Sequence, residues 1–226
     1  MDSEFSQEKF RSMRIENAVR LAAEMFIRDG IDNVKMTDIA ERSGIGVATL
    51  YRHFNTKTGL LIAAMTYKWQ ELEKLFSGVF ESEVFLAQSG IKQLRDLMRV
   101  FLVLFTAHAD FMRLLAEFDV FIRTEKVSKE ELADYDRSII NIYPYFEHAY
   151  KKGLDDGTVR ETEDFHLFYT AHAHAVMELS KKLIQGELIP SDDFRNAEAE
   201  ISILIDTAVA YLRKEQNHAG KEDRIQ

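Results

Sequence analysis

The sequence predicts an all-α protein, and three observations carry that expectation. Only two prolines occur in 226 residues, at positions 144 and 190. Apolar residues recur at i, i+3, i+4 and i+7 through long segments, the period of a helix and not of a strand. Hydrophobic residues make up 46% and charged residues 30%, a balance that supports a packed core and argues against disorder.

The first helix is expected over residues 7–29, with Ile15, Ala18, Ala22, Met25 and Phe26 as its apolar stripe and Gly30 as its stop. Residues 37–54, TDIAERSGIGVATLYRHF, read as two short helices around a glycine turn. Ile39 and Ala40 are the apolar positions of the first, Ser43-Gly44 ends it, and Ile45 plugs the angle between the two. Gly46 opens the second, whose buried side is Leu50 and Phe54. Two helices joined steeply by a short turn form a helix-turn-helix, whose second helix can enter the DNA major groove. A long helix follows over 58–80, with Leu61, Ala64, Met65, Lys68, Leu72 and Leu75 in helical register. Further helices are expected over 90–108 and 111–124. The capping box Ser128-Lys-Glu-Glu131 opens another that runs to Gly153 and is kinked by Pro144. The eighth covers 163–185, and the ninth starts at Pro190-Ser191-Asp192 and reaches 215. The polar tail, 217–226, is expected to fray.

Composition bounds the function. With no cysteine there is no disulfide or thiolate chemistry, which is compatible with a reducing, cytoplasmic setting. The first residues lack the apolar run of a signal peptide, and no stretch reaches the ~18 apolar residues of a membrane span. No phosphate loop, dinucleotide fingerprint, zinc motif or nucleophile elbow occurs, so neither an enzyme nor a cofactor is expected. The net charge of −9 looks wrong for a DNA-binding chain, but residues 1–57 hold nine Lys/Arg and nine Asp/Glu, so all of the excess lies beyond them. An acidic body either orients a neutral head on the duplex or merely confers solubility.

Within the helix-turn-helix, Val47, Ala48 and Thr49 occupy the first turn of the second helix, the part that enters the groove. Val47 and Ala48 can read thymine methyls, and Arg52 can take guanine bidentately. Arg14 suits either a minor-groove arm or solvated surface.

Roughly a quarter of the chain, the first ~60 residues, resembles the DNA-binding head of the TetR family of bacterial transcriptional regulators. The resemblance rests on Ala22, Phe26, Gly30, Ile39, Ala40, Ser43-Gly44-Ile45, Thr49-Leu50-Tyr51-Arg52-His53-Phe54, Lys57 and Leu60. It implies that Tyr51, His53 and Lys57 contact phosphates and that Thr37 reaches a base or a phosphate. Lys35 stands where the family usually has a capping threonine, and can itself reach a phosphate. The resemblance also implies an effector-binding body, most plausible as a repressor's, and a homodimer on a double-stranded operator.

The body's aromatics fit plain core packing or a ligand cavity, and the resemblance favours the cavity. Phe101, Phe105, His108, Phe118, Tyr143, Tyr145, Tyr169 and His172 are its candidate residues, for an unknown small apolar or aromatic effector. His172 and His174 lie about 200° apart around a helix, so no metal site is expected. The last two helices carry small and apolar stripes suited to a four-helix dimer seam, with Ala171, Ala175, Ile201, Leu204, Ala208 and Leu212 as candidates. The expected whole is a three-helix head over 1–57, a long connecting helix, and a helical effector-binding and dimerisation body over 58–216. The alternative is a DNA-binding regulator or architectural protein governed by a protein partner, without a small effector.

Overall fold

The computed structural model describes residues 2–139, 141–186 and 190–215, and among them it holds twelve α-helices and no strand beyond one isolated bridge. The head is α1 (Asp2–Asp29), α2 (Met36–Ser43) and α3 (Val47–Phe54). Ala18, Ala22 and Phe26 of α1 are fully buried, and they close the head's core with Ile39, Leu50 and Leu60. Gly44 adopts φ +66°, where a glycine carries no Cβ penalty, and the Ile45 N–H returns to the Ala40 carbonyl at 3.1 Å. That closure turns the chain sharply and buries Ile45 in the elbow.

The turn from α3 into α4 (Lys57–Phe80) is equally constrained. Asn55 sits at φ +60°, and the Thr56 hydroxyl caps α4 by accepting the Gly59 N–H at 3.1 Å. A Cβ on Gly59 would lie 2.1 Å from the Phe54 carbonyl oxygen, so only glycine permits this approach. The recognition helix is thereby fixed to a 24-residue helix, about 36 Å long, that runs into the body.

The body comprises α5 (Glu83–Leu86), α6 (Gly90–Met98), α7 (Val100–Ala107), α8 (Ala109–Thr124), α9 (Ala133–Ser138), α10 (Tyr143–Asp155), α11 (Phe165–Ile184) and α12 (Ala197–Leu212). The tightest crossing is α6 on α10. A Cβ on Gly90 would meet the Gly153 backbone nitrogen at 2.2 Å, and one on Gly153 would meet Val159. Two side chains from the loop after α10 then cap α6: Asp156 accepts the Gly90 N–H at 2.8 Å and Thr158 the Ile91 N–H at 3.2 Å.

Several sequence expectations need correction. The helix expected over 90–108 is divided at Arg99 into α6 and α7, though the Arg99 backbone stays right-handed (φ −68°, ψ −12°) and the Val103 N–H still reaches its carbonyl at 3.0 Å. The short α5 was not anticipated; it is closed by Gln93, whose buried amide donates to the Phe85, Leu86 and Gln88 carbonyls. The Ser128–Glu131 capping box forms, yet the helix after it ends at Ser138. Pro144 does not kink a continuous helix: it sits in the first turn of α10, where its missing N–H has no helical partner to lose. The last helix starts at Ala197, not 190, because Asp193 accepts both the Arg195 N–H and its guanidinium and holds a turn there. It stops at Leu212, where the Arg160 N–H takes the Leu212 carbonyl at 2.9 Å. On α4 the buried register is Leu61, Met65, Trp69, Leu72 and Phe76; Leu75 is exposed. The predicted tail, 217–226, lies outside the described residues.

Candidate nucleic-acid interface and ligand cavity

The second helix of the elbow presents one face to solvent. Val47, Ala48, Tyr51, Arg52 and His53 are exposed and Thr49 is half-buried, while Leu50 points inward and Phe54 packs against the core edge. Arg52 forms no ion pair with another described residue, so its guanidinium is available. The His53 ring stands edge-on to Phe54, 4.6 Å between centroids, which orients it along the helix. Lys57 opens α4 beside this face, its ammonium 3.5 Å from the Asp32 carbonyl oxygen. Thr37 and Lys35 are exposed at the start of α2. There the Asp38 carboxylate accepts the Lys35 N–H at 3.2 Å, so an acidic N3 residue does part of the work of the missing capping threonine. The nine head residues therefore lie on α2, α3 and the start of α4, all solvent-accessible to some degree. Arg14 is exposed but committed: its guanidinium donates to the Gly44 carbonyl at 2.7 Å and ties α1 to the elbow.

In the body, a cavity of about 220 Å³ opens between α4, α7, α11 and the segment joining α9 to α10. Trp69, Phe101, Leu104, Ile142, Tyr169 and Met177 form its apolar walls, and Thr170 and His174 supply its polar groups. Of the eight aromatic and histidine candidates, Phe101 and Tyr169 line it. The others lie elsewhere. Phe118 is fully buried against Tyr135, 4.9 Å between centroids. Tyr143 packs edge-on against His166, and Tyr145 donates to Glu81 at 2.9 Å while resting on Phe80. Phe105 is half-buried on α7. His108 sits at the α7–α8 junction, its pKa lowered by burial and by Lys68. His172 bonds the Phe168 carbonyl one turn back, at 2.7 Å.

Among the lining residues outside the sequence candidates, Trp69 is the one that α4 contributes. Its signal was the α4 register: tracking 61, 65, 69, 72 and 76 would have found it, where the stripe was drawn through 68 and 75. The indole N–H donates to the Tyr135 hydroxyl at 3.1 Å. Burial pushes the Tyr135 phenol up to about 12, outweighing that bond, which favours the phenolate.

Residues 19–64 match the family model described as bacterial regulatory proteins, tetR family. Over those residues the head is similar to that family. A helix-turn-helix-type transcriptional regulator of Staphylococcus aureus strain MRSA252 is 38% identical over 119 residues, 53% of each chain, so this chain spans about half the length of that relative. Solved TetR-type folds superpose on most of the chain. A protein from Saccharomonospora viridis described as a transcriptional regulator, in complex with choline, shares 17% identity at a TM-score of 0.60, covering 92% of this chain and 100% of that one. The regulator FadR from Bacillus subtilis, in complex with stearoyl-CoA, shares 14% identity at a TM-score of 0.56, covering 88% of this chain and 99% of that one. At these identities they show a shared fold. No described helix is long and apolar enough to cross a membrane.

The sequence points to one further surface, the face of the last two helices. Ala171 and Ala175 are exposed on α11, in line with Leu167, which is 63% exposed. On α12 the assignment is corrected for three residues. Ile201, Ala208 and Leu212 are at most 1% exposed and pack within their own protomer, with Ile205 and Val209 completing that inner stripe. The outer face is mixed: Ile203, Ala210 and Tyr211 are exposed together with Asp206 and Thr207, and Leu204 is half-buried between the two sides.

Proposed function

We propose that this chain is a ligand-responsive, DNA-binding transcriptional regulator, acting as a homodimeric repressor that a small neutral apolar or aromatic effector releases from its operator. One observation carries the reading: α4 lines the cavity with Trp69 and begins at Lys57, against the recognition helix. These positions are twelve residues apart, about 18 Å along one helix axis. A displacement at Trp69 is delivered to the head through a turn that Gly59 and Thr56 hold rigid. In a dimer it alters the spacing of two heads against half-sites one helical turn apart. The effector must prefer the arrangement that does not bind DNA, or it shifts nothing.

The effector's class follows from the walls. The structural neighbours hold choline in one case and stearoyl-CoA in the other, so the fold does not dictate ligand chemistry. No Asp, Glu, Lys or Arg lines this cavity, and a charged ligand would lose its hydration without compensation. Apolar cavities of ~150 Å³ accommodate benzene, so about 220 Å³ suits a molecule of one or two rings. Thr170 and His174 offer it a hydrogen bond. The outer faces of α11 and α12 supply the dimer seam.

A second reading, control by a protein partner, draws support from a trough at the far end of α4, where Leu75, Val79, Val84 and Val103 are exposed together. The two are separated by a screen of neutral one- and two-ring compounds. Trp69 is the sole tryptophan, so its fluorescence reports occupancy directly. Hits should change that signal and weaken binding to an operator selected from random duplexes. Compounds that occupy the cavity without altering DNA affinity would leave the partner-controlled reading. On that operator, Arg52→Ala should cost about 1–3 kcal/mol and far less on random DNA; equal losses on both would exclude Arg52 as a base reader.

A further inference from the structure

The first helix is longer than the head requires. It spans 28 residues, yet among its described side chains the first that is fully buried is Ala18. Upstream, Phe10 is 63% and Met13 55% exposed. A helical overhang with no core beneath it is marginal alone, and this one has a single visible anchor, the Arg14–Gly44 bond. Gln7, Phe10, Arg11 and Arg14, at i, i+3, i+4 and i+7, share one face. That face forms one wall of a groove whose other wall is Ile45, Gly46 and Thr49, the start of the recognition helix. Arg14 is occupied by its carbonyl. Arg11 is exposed, bears no ion pair with another described residue, and opens onto the same side as the groove-entering turn of α3. Lys9 is exposed too, but lies about 160° around the helix from Arg11.

We propose that the overhanging face of α1 is an additional DNA-backbone contact, in which Arg11 holds a phosphate of the strand passing the start of α3. The proposal rests on the DNA-binding reading above and adds to it a contact outside the helix-turn-helix. A duplex seated on Val47–Thr49 brings one strand past the groove mouth, where the guanidinium meets it. A phosphate there supplies a charge partner that no described residue does. The contact reads no base, so it strengthens binding on every sequence.

The test compares two variants that remove the same charge from opposite faces of one helix. Binding of the full chain to a random-sequence 40-base-pair duplex is measured from 0.05 to 0.3 M salt. One lost phosphate contact flattens the logarithmic salt slope by about 0.9, equivalent to about eightfold at 0.1 M. Arg11→Ala should show that loss, Arg11→Lys should recover most of it, and Lys9→Ala should fall well short of it. Helicity by circular dichroism should be unchanged in all three. Equal losses for Lys9→Ala and Arg11→Ala would reduce the effect to the diffuse field of the head and overturn the contact. So would an unchanged slope in Arg11→Ala while Lys57→Ala loses its own unit. A wild-type chain that does not bind the duplex at all would overturn the DNA-binding reading itself.

Discussion

The head and the body use the same twelve-helix material in opposite ways. In the head, function lies on the outside of a short stretch, and local backbone geometry positions it: Gly44 at φ +66°, Asn55 at φ +60°, and Gly59 under the Phe54 carbonyl. In the body, function is proposed for an inside, a cavity assembled from α4, α7, α11 and the α9–α10 link. Surface function on a local motif can be written in a few consecutive residues. A cavity exists only after distant segments have packed, and each wall residue serves equally as core. The difference teaches that the region easiest to recognise is not the one that decides what the protein responds to.

The sharpest way to break the comparison is to put a methyl group at each region's closest backbone approach. Gly59→Ala and Gly90→Ala each place a Cβ within 2.2 Å of backbone atoms, a clash that flexible side chains cannot relieve. Each should cost about 3 kcal/mol or more by urea denaturation. Gly59→Ala should abolish DNA binding while leaving cavity occupancy detectable by Trp69 fluorescence; Gly90→Ala should do the reverse. A denaturation midpoint that barely moves in either variant would refute the corresponding packing.

Next in size is assembly. Ile203→Glu alters a side chain that is 65% exposed in the protomer, so the fold should persist by circular dichroism. Buried in a dimer seam, the unpaired charges should weaken association by a hundredfold or more, about 3 kcal/mol. Sedimentation showing an intact dimer would move the seam away from the outer face of α12.

The smallest effect concerns pH. The Tyr135 phenol is raised to about 12 against roughly 10 in the unfolded chain, so the folded state binds its proton more tightly. Its contribution is therefore full below pH 10 and lost as pH rises towards 12, on the order of 2–3 kcal/mol. Tyr67 is also raised to about 12, by partial burial and Glu71, but lies near solvent, where screening weakens its share. Tyr135→Phe should remove most of this alkaline loss. At neutral pH it should cost about 1–3 kcal/mol, since the Trp69 N–H is left unpaired. An alkaline limb unchanged in Tyr135→Phe would show that another group controls it.

Much of the fold was legible in the sequence because helices are local. The elbow at Gly44–Ile45, the stops at Gly30 and Gly186, and the whole of α4 lie where periodicity and glycine placed them. The failures share a cause: groups outside the helix, a side chain at one end and backbone at the other, that compete for its termini over distance or through a turn. Asp193 diverts the start of α12, and Thr158–Arg160 captures its end. Pro144 was read as an interruption, although a proline's meaning depends on whether a helix precedes it. At the candidate sites, the head's residues could be assigned because exposure follows from the motif. The inner stripe of α12 could not be told from its outer one, since Ile201 and Ile203 are the same residue type on opposite faces. The cavity turned on Trp69, one position from Lys68, and that single step of register separates wall from surface.

The crossing of α6 on α10 has a mechanical consequence for what the cavity can admit. Gly90 and Gly153 clamp the base of α6, and Arg99 joins α6 to α7. Beyond Arg99, α7 is packed against α8, α11 and α12 and bears Phe101 and Leu104 on the cavity wall. A tilt of about 5° at Arg99 moves Leu104, some 7.5 Å along α7, by a little over half an ångström. Yielding of that order accommodates a methyl group or a slightly rotated ring. Anything larger must shift the clamp, where the two backbones already touch. Effectors that differ slightly in shape should therefore be tolerated better than effectors that differ in size.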